Sequence, residues 1–344
     1  MKNVGKAIRK IFVTIIVLIL LSTIINQILF VIEKEKYSIY GQYVDVDGKD
    51  MYLSVMGEGE NTIVILPGSG CIGSTVLYRP LAKELAKNHK VIIVEYFGYG
   101  FSDDTNKERT IENIVEELRC ALKKVSNNQE YILMPHSMSG LYSLYYAIQY
   151  PEEVKAIIGL DMTVAQLDDD TNIDWALFEE KTGLKKEDYY DEGTYPLLLN
   201  PLIEEVGIMR WGNDIYNKGM YEMLEKSNLY SEQELKVLKK ENNRFPSMAL
   251  LKEYHNNMFV ENILKLQNTK FPQDLPILDF RADNSIEVSK EYLGKDTIVI
   301  LNEIITNHEI QKVSIIDTTH STIFINSIKN IVEETNYFIK NIIV

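Results

Sequence analysis

Apolar positions along the chain change their period from one stretch to the next. Residues 11–32 carry no charge over 22 positions. As a helix they would be about 33 Å long, enough to cross the hydrocarbon core of a bilayer. Residues 42–57 show period-two patches around Asp47-Gly48, which reads as a hairpin. Short, mainly apolar runs follow at 62–66, 91–95, 130–134 and 154–161, each of the kind buried on both faces of a sheet. Helical patterns separate them at 78–88, 110–125 and 141–147. In the second of these, Ile111, Ile114, Val115, Leu118, Leu122 and Val125 form one apolar stripe. Strands alternating with helices of this length predict an α/β fold, with a mostly parallel sheet covered on both faces.

The rhythm stops between residues 164 and 269. There the pattern is helical throughout, at 173–181, 195–211, 218–226, 231–241 and 246–266, with Ser231 and Glu234 spaced as a capping box. Alternation returns with strands at 275–283 and 312–316 and a helix at 323–339. The expected organisation is a basic segment at 1–10, a transmembrane helix at 11–32, a core in two parts at 37–163 and 271–344, and a helical insert at 164–270.

Charge refines the first of these segments. Lys2, Lys6, Arg9 and Lys10 precede the apolar stretch, and Glu33-Lys34-Glu35-Lys36 follows it with no net charge. The positive flank is expected to stay cytoplasmic, which puts the body outside the cell membrane as a single-pass, signal-anchored domain. A cleaved signal peptide is the competing reading, although no A-x-A-like site follows the stretch. The whole chain has a formal charge of −14, and the four basic residues ahead of residue 11 leave 32 basic against 50 acidic, or −18, for the rest. An acidic body without a basic tract excludes nucleic acid as the expected partner. Cys71 and Cys120 are the only cysteines, so no disulfide framework is implied, and no zinc-like spacing of cysteine and histidine occurs. No cofactor or metal is expected.

The chemistry concentrates at Pro135-His136-Ser137-Met138-Ser139-Gly140. A serine between a buried strand and a helix is pushed out of the sheet, with its hydroxyl at the helix N-terminus. The chain here resembles a serine hydrolase of the α/β-hydrolase fold. That family's elbow is G-x-S-x-G; Pro135 and Ser139 stand where its glycines would be. The resemblance implies a second donor to a tetrahedral oxyanion from the loop Pro67-Gly68-Ser69-Gly70, by position the Ser69 N–H, beside the Met138 N–H of the elbow. Pro67 replaces the histidine usual in that loop. The stretch Glu95-Tyr96-Phe97-Gly98-Tyr99-Gly100-Phe101-Ser102 matches D-x-x-G-x-G-x-S with glutamate for aspartate, and its expected role is scaffolding.

The resemblance also implies a late acid and a histidine in the last loop. Asp283 ends the stretch at 275–283, where a strand runs into a loop, and is the expected acid, with Asp161, at the end of an earlier strand, as the alternative. His320 follows the last strand and is the expected base. His136 is expected to be a structural neighbour, His308 lacks the right slot, and His255 is expected to be an ordinary polar helix residue. Ser137 would attack, His320 would move the proton, Asp283 would orient the imidazole, and the Ser69 and Met138 N–H groups would hold the oxyanion. The order serine, acid, histidine is the one this fold requires.

The insert is expected to act as a lid that excludes water and shapes specificity. Its acid-rich part, from Asp168 to Glu192, is expected to be solvated surface or loop, with carboxylates for a substrate ammonium as the alternative. A nucleophilic serine argues against the haloalkane and epoxide branches, which use aspartate at the elbow. Three functional readings follow: a carboxylic ester hydrolase, an aminopeptidase like the proline iminopeptidases, and a membrane-anchored binding module that keeps the fold without turnover. The expected partners are a small-molecule or short-peptide substrate and the membrane.

Overall fold

Segments that are apolar on both faces can rest only inside a covered sheet. In the computed structural model β3 (Thr62–Leu66), β4 (Lys90–Val94), β5 (Tyr131–Pro135) and β6 (Val154–Leu160) fill that role, and every residue of β3 and β5 is buried. The structure describes residues 2–126, 130–164, 174–182, 205–244, 247–254, 258–294 and 296–343. The hairpin strands β1 (Gln42–Val46) and β2 (Lys49–Met56) join the same sheet, with β7 (Ile277–Ala282) and β8 (Gln311–Ile316) at its other side. The order is β1-β2-β4-β3-β5-β6-β7-β8. The β1–β2 and β2–β4 pairs are antiparallel and the rest are parallel. Asp47 and Gly48, at φ 55° and 80°, make the hairpin turn.

Apolar clusters cover both faces. One gathers Val64, Leu133, Leu118 and Leu141 under the Ile111–Val125 helix, and the other gathers Ile65, Met134, Leu81 and Phe338. Thr110 caps the Ile111–Val125 helix by accepting from Asn113 N. Because the parallel strands point one way, their C-terminal ends share one edge, where ligands bind in sheets of this kind. The loops after Leu66, Val94, Pro135, Leu160, Ala282 and Ile316 all open there.

Between β6 and β7 lie the helices Trp175–Thr182, Ile208–Tyr216, Lys218–Ser227, Glu232–Glu241, Met248–Tyr254 and Met258–Lys265. The capping box at Ser231 and Glu234 is present in both directions. The helix expected at 246–266 is two helices, and residues 255–257, with His255, lie outside the described residues. So do 165–173 and 183–204, which hold most of the acid-rich segment. The insert packs on the strand-end loops: Tyr230 Oη donates to Leu77 O at 2.6 Å, and Gly98 has no room for a Cβ because Ser247 Oγ would stand 2.4 Å away.

The N-terminal apolar stretch is a helix running from Lys2 to Tyr37, longer than the expected span at each end. It is long and apolar enough to cross a membrane. It is not a free tether, since it meets the body from Ser22 onward, where Ser22 Oγ donates to Val206 O at 2.7 Å and Lys34 pairs with Asp103 at 2.7 Å.

Candidate active site

The elbow is built by a backbone constraint. Ser137 has φ 53°, in the left-handed region that a residue with a Cβ avoids. Its carbonyl accepts from Gly140 N at 2.9 Å and from Thr163 N at 2.8 Å, which closes the turn between β5 and the Ser139–Gln149 helix. The departures from G-x-S-x-G have local explanations. Pro135 ends β5 opposite Leu66, and the next residue restores the ladder, with His136 N donating to Leu66 O at 2.9 Å. Ser139 is fully buried and its hydroxyl is satisfied by Pro67 O and, at 2.9 Å, by Tyr96 Oη. The tight approach that requires glycine falls at Gly140, where a Cβ would stand 2.3 Å from Thr163 O.

The loop after β3 lies against this turn. A Cβ on Gly68 would be 3.0 Å from both Ser137 Cβ and His136 Nδ1. The loop is braced from the insert: Ser69 Oγ donates to Glu253 Oε2 at 2.9 Å, Tyr99 Oη donates to the same oxygen at 2.9 Å, and Gly70 N donates to Tyr99 Oη at 2.9 Å. Burial raises the Glu253 carboxyl above its ordinary value, against the pull of Arg109 and the bonds from Tyr99 and Ser69. Met138 sits at the N-terminus of the elbow helix, 1% exposed.

His320 meets a carboxylate, and it is Asp161. Its Nδ1 lies 2.6 Å from Asp161 Oδ2. Asp161 follows β6 with φ 49°, which turns its side chain across the strand ends. Ser285 Oγ donates to Oδ2 at 2.5 Å, Ala282 N donates to Oδ1 at 3.2 Å, and Arg281 stands 3.4 Å from Oδ1. Burial opposes the charge on Asp161, but the bond to His320, the Arg281 charge and the Ser285 hydroxyl outweigh it and hold its pKa below the ordinary range.

The expectation for Asp283 is therefore corrected. Asp283 opens the Asp283–Leu293 helix instead of standing in a loop. Its Oδ1 accepts from Thr318 N at 2.9 Å and from Asn284 N at 2.7 Å. The carboxylate is taken up by the helix start and by the backbone of the loop that carries His320. It ties that loop down without touching the imidazole.

A second buried network backs Asp161. Arg281 donates to Met162 O at 2.9 Å and also pairs with Asp279. Asp279 is 1% exposed; burial pushes its pKa up to about 6, and Arg281, which it shares with Asp161, pulls the other way. Sequence reasoning missed this pair. Its signal was opposite charges at alternate positions, hence on one face, within the buried strand Ile277–Ala282.

His136 is the structural neighbour expected. Nδ1 pairs with Tyr78 Oη at 2.8 Å and Nε2 with His320 O at 3.0 Å. Burial, helped by the neighbouring His320, lowers its pKa to about 4, so the ring is neutral near pH 7 and holds the last loop in place. His308 is exposed and its carbonyl accepts from Lys312. Ser137 and His320 share a cavity of about 500 Å³, walled by Leu77, Met220, Met223, Leu224 and Phe324. No hydrogen bond joins the Ser137 hydroxyl to His320 among the described residues. Such contacts commonly tighten only when substrate binds. Among the described residues no cluster of three or more His, Cys, Asp or Glu is placed to hold a metal.

Comparisons with known proteins agree with the architecture. The profile described as alpha/beta hydrolase fold matches residues 61–324. The chain is 37% identical over 170 residues to the uncharacterized protein YbdG of Bacillus subtilis, covering 48% of this chain and 52% of that one. It is 24% identical over 139 residues to a cis-3-alkyl-4-alkyloxetan-2-one decarboxylase of Shewanella oneidensis, covering 40% and 43%. It is 31% identical over 106 residues to a proline iminopeptidase of Saccharolobus solfataricus, covering 30% and 34%. The chain thus spans about half or less of the length of these curated relatives. Among solved structures, an evolved variant of a potato epoxide hydrolase matches with TM-score 0.63 at 15% identity, covering 87% of this chain and 98% of that one. That likeness is one of fold.

Proposed function

The chain belongs to the alpha/beta hydrolase fold family, and from that membership we propose that it is a serine hydrolase that cleaves carboxylic esters. The observation that carries the reading is the strained Ser137 facing the same cavity as His320, whose far ring nitrogen is 2.6 Å from the buried Asp161. His320 takes the proton of Ser137 as its oxygen adds to the ester carbonyl. Asp161 keeps the Nδ1 tautomer and balances the imidazolium. The N–H groups of Ser69 and Met138 hold the oxyanion. The proton then passes from His320 to the leaving alcohol, and water repeats the sequence on the acyl-enzyme. A serine nucleophile sets this chain apart from the aspartate-based epoxide branch, despite the shared fold.

The helical insert is read as a lid, because Met220, Met223 and Leu224 wall the cavity. The helix Lys2–Tyr37 is read as a membrane span, with the basic end cytoplasmic and the body outside. An aminopeptidase activity is the second reading, favoured by the 31% identity to a proline iminopeptidase.

A fluorophosphonate probe tests the assignment. Wild type is expected to label, Ser137→Ala not at all, and His320→Ala and Asp161→Asn far more slowly. Asp283→Asn is expected to label at nearly the wild-type rate. Graded p-nitrophenyl esters against aminoacyl anilides then separate esterase from peptidase. Folded wild type that does not label rejects the nucleophile and leaves the binding-module reading in its place.

A further inference from the structure

Two helices of this chain are turned inside out. In Ile208–Tyr216 the side facing the body is polar: Asn213 is 2% exposed, donates to Lys239 O at 2.7 Å and accepts from Tyr221 Oη at 2.8 Å, and Arg210 lies on the same side. The side facing out is apolar, with Ile208, Trp211 and Ile215 at 51%, 67% and 81% exposure. A helix in contact with water shows the reverse arrangement. The second half of the N-terminal helix repeats it. Ser22, Asn26 and Glu33 fall on one stripe and are bound to the body, while Ile24, Ile28 and Val31 on the other side are exposed.

The two inverted helices are joined by their polar sides. Arg210 donates to Glu33 at 2.6 Å and to Asn26 at 2.7 Å, Lys240 pairs with Glu33 at 3.1 Å, and Asn26 donates to Glu205 O at 3.2 Å. Their apolar sides are left outward together. Length sets the depth. A hydrocarbon core takes about 20 helical residues, which counted from Ile11 end near Phe30. Ser22 then lies about 12 Å below that surface, at 1.5 Å per residue. It is already bonded to Val206, just ahead of the inverted helix. Asn26, which Arg210 of the inverted helix meets, lies about 6 Å below that surface on the same count, within the roughly 5–10 Å to which an interfacial helix sinks its apolar face.

We propose that Ile208, Trp211 and Ile215 are embedded in the acyl-chain boundary of the bilayer that the N-terminal helix crosses. The occupant of this face is lipid. Asp214, 79% exposed and 3.8 Å from Lys239, stands at the rim of the patch, at headgroup level. The same segment continues into Tyr216, Asn217 and Met220, which line the active-site cavity. The cavity is therefore bordered by a membrane-seated helix. The inference rests on reading residues 11–32 as a membrane span.

The chain has two tryptophans, so Trp175→Phe leaves Trp211 as the only indole. The full-length variant is reconstituted in phosphatidylcholine–phosphatidylglycerol vesicles with or without acyl-brominated lipid. Trp211 emission is expected to be blue-shifted, shielded from iodide and quenched at least about twofold by bromine. Adding Ile208→Ser and Ile215→Ser, at exposed positions, is expected to reduce that quenching. Trp211 open to iodide and blind to bromine, in protein that resists alkaline carbonate extraction, overturns the inference and leaves the span intact. Shielding from both quenchers means the face is covered by protein, such as a second copy, and also overturns it. Protein released by carbonate rejects the span and the inference together.

Discussion

Glu95 and Asp161 each stand one residue past the end of a parallel strand, β4 and β6, and each is almost fully buried. Their charges differ. Asp161 faces His320 and Arg281 and stays ionised below the ordinary carboxylate range. Glu95 faces another carboxylate. Thr75 Oγ1 lies 3.1 Å from Glu95 Oε1 and 3.3 Å from Glu241 Oε1, so the hydroxyl bridges two acids. Burial pushes Glu95 up to about 7, against the N–H bonds from Phe101 and Thr75, and raises Glu241 as well. Equal burial thus yields an anion where a cation and an imidazole are supplied, and a shared proton where they are not. The first region sets His320 at the cavity that Ser137 lines. The second joins core to insert, since Glu241 ends the Glu232–Glu241 helix.

The comparison breaks most sharply at Asp161. Asp161→Asn removes the charge that orients His320, and kcat is expected to fall by about 10⁴-fold in a protein that still folds. Steady-state kinetics on a p-nitrophenyl ester measures it. A fall below tenfold, or an equal fall for Asp283→Asn, would return the acid to the later strand.

Arg281→Met probes what keeps the first region ionised. It strands the charge of Asp161 beside Asp279, and a loss of about 3–5 kcal/mol is expected in denaturant unfolding. Asp279→Asn in the same background is expected to restore part of it. Without such recovery the network is packing alone.

Glu95→Gln sharpens the other side with the smallest effect and the opposite sign. The folded state holds a proton that the unfolded chain releases, so the contribution of Glu95 to stability is greatest below the ordinary carboxylate range. It falls as pH rises through about 7. The amide is expected to add about 1–3 kcal/mol near pH 8 and little near pH 5. Asp161 behaves in reverse, since its depressed folded pKa contributes stability above the carboxylate range and loses it as pH falls through the folded value. Thermal unfolding of Glu95→Gln that follows wild type at every pH would remove the shared proton from the account.

Local pattern determined much of this protein. Mainly apolar runs separated by amphipathic helices point to a parallel sheet, because a covered sheet satisfies them. The strand-turn-helix around Ser137, the late His320, the capping box at Ser231 and the apolar N-terminal helix were legible for similar reasons, each being set by neighbours a few residues away. Which carboxylate His320 meets was not legible. Asp161 and Asp283 both come directly after parallel strands and are equivalent in spacing. The choice falls to the left-handed backbone of Asp161, which turns it toward His320, and to the Asp283 helix start, which takes that carboxylate up with Thr318 N. Nor was it legible that Glu95 meets Glu241, or that Arg210 meets Glu33. Tertiary structure decides such pairings, because burial and charge depend on what the fold brings near, and a sequence lists only what is near along the chain.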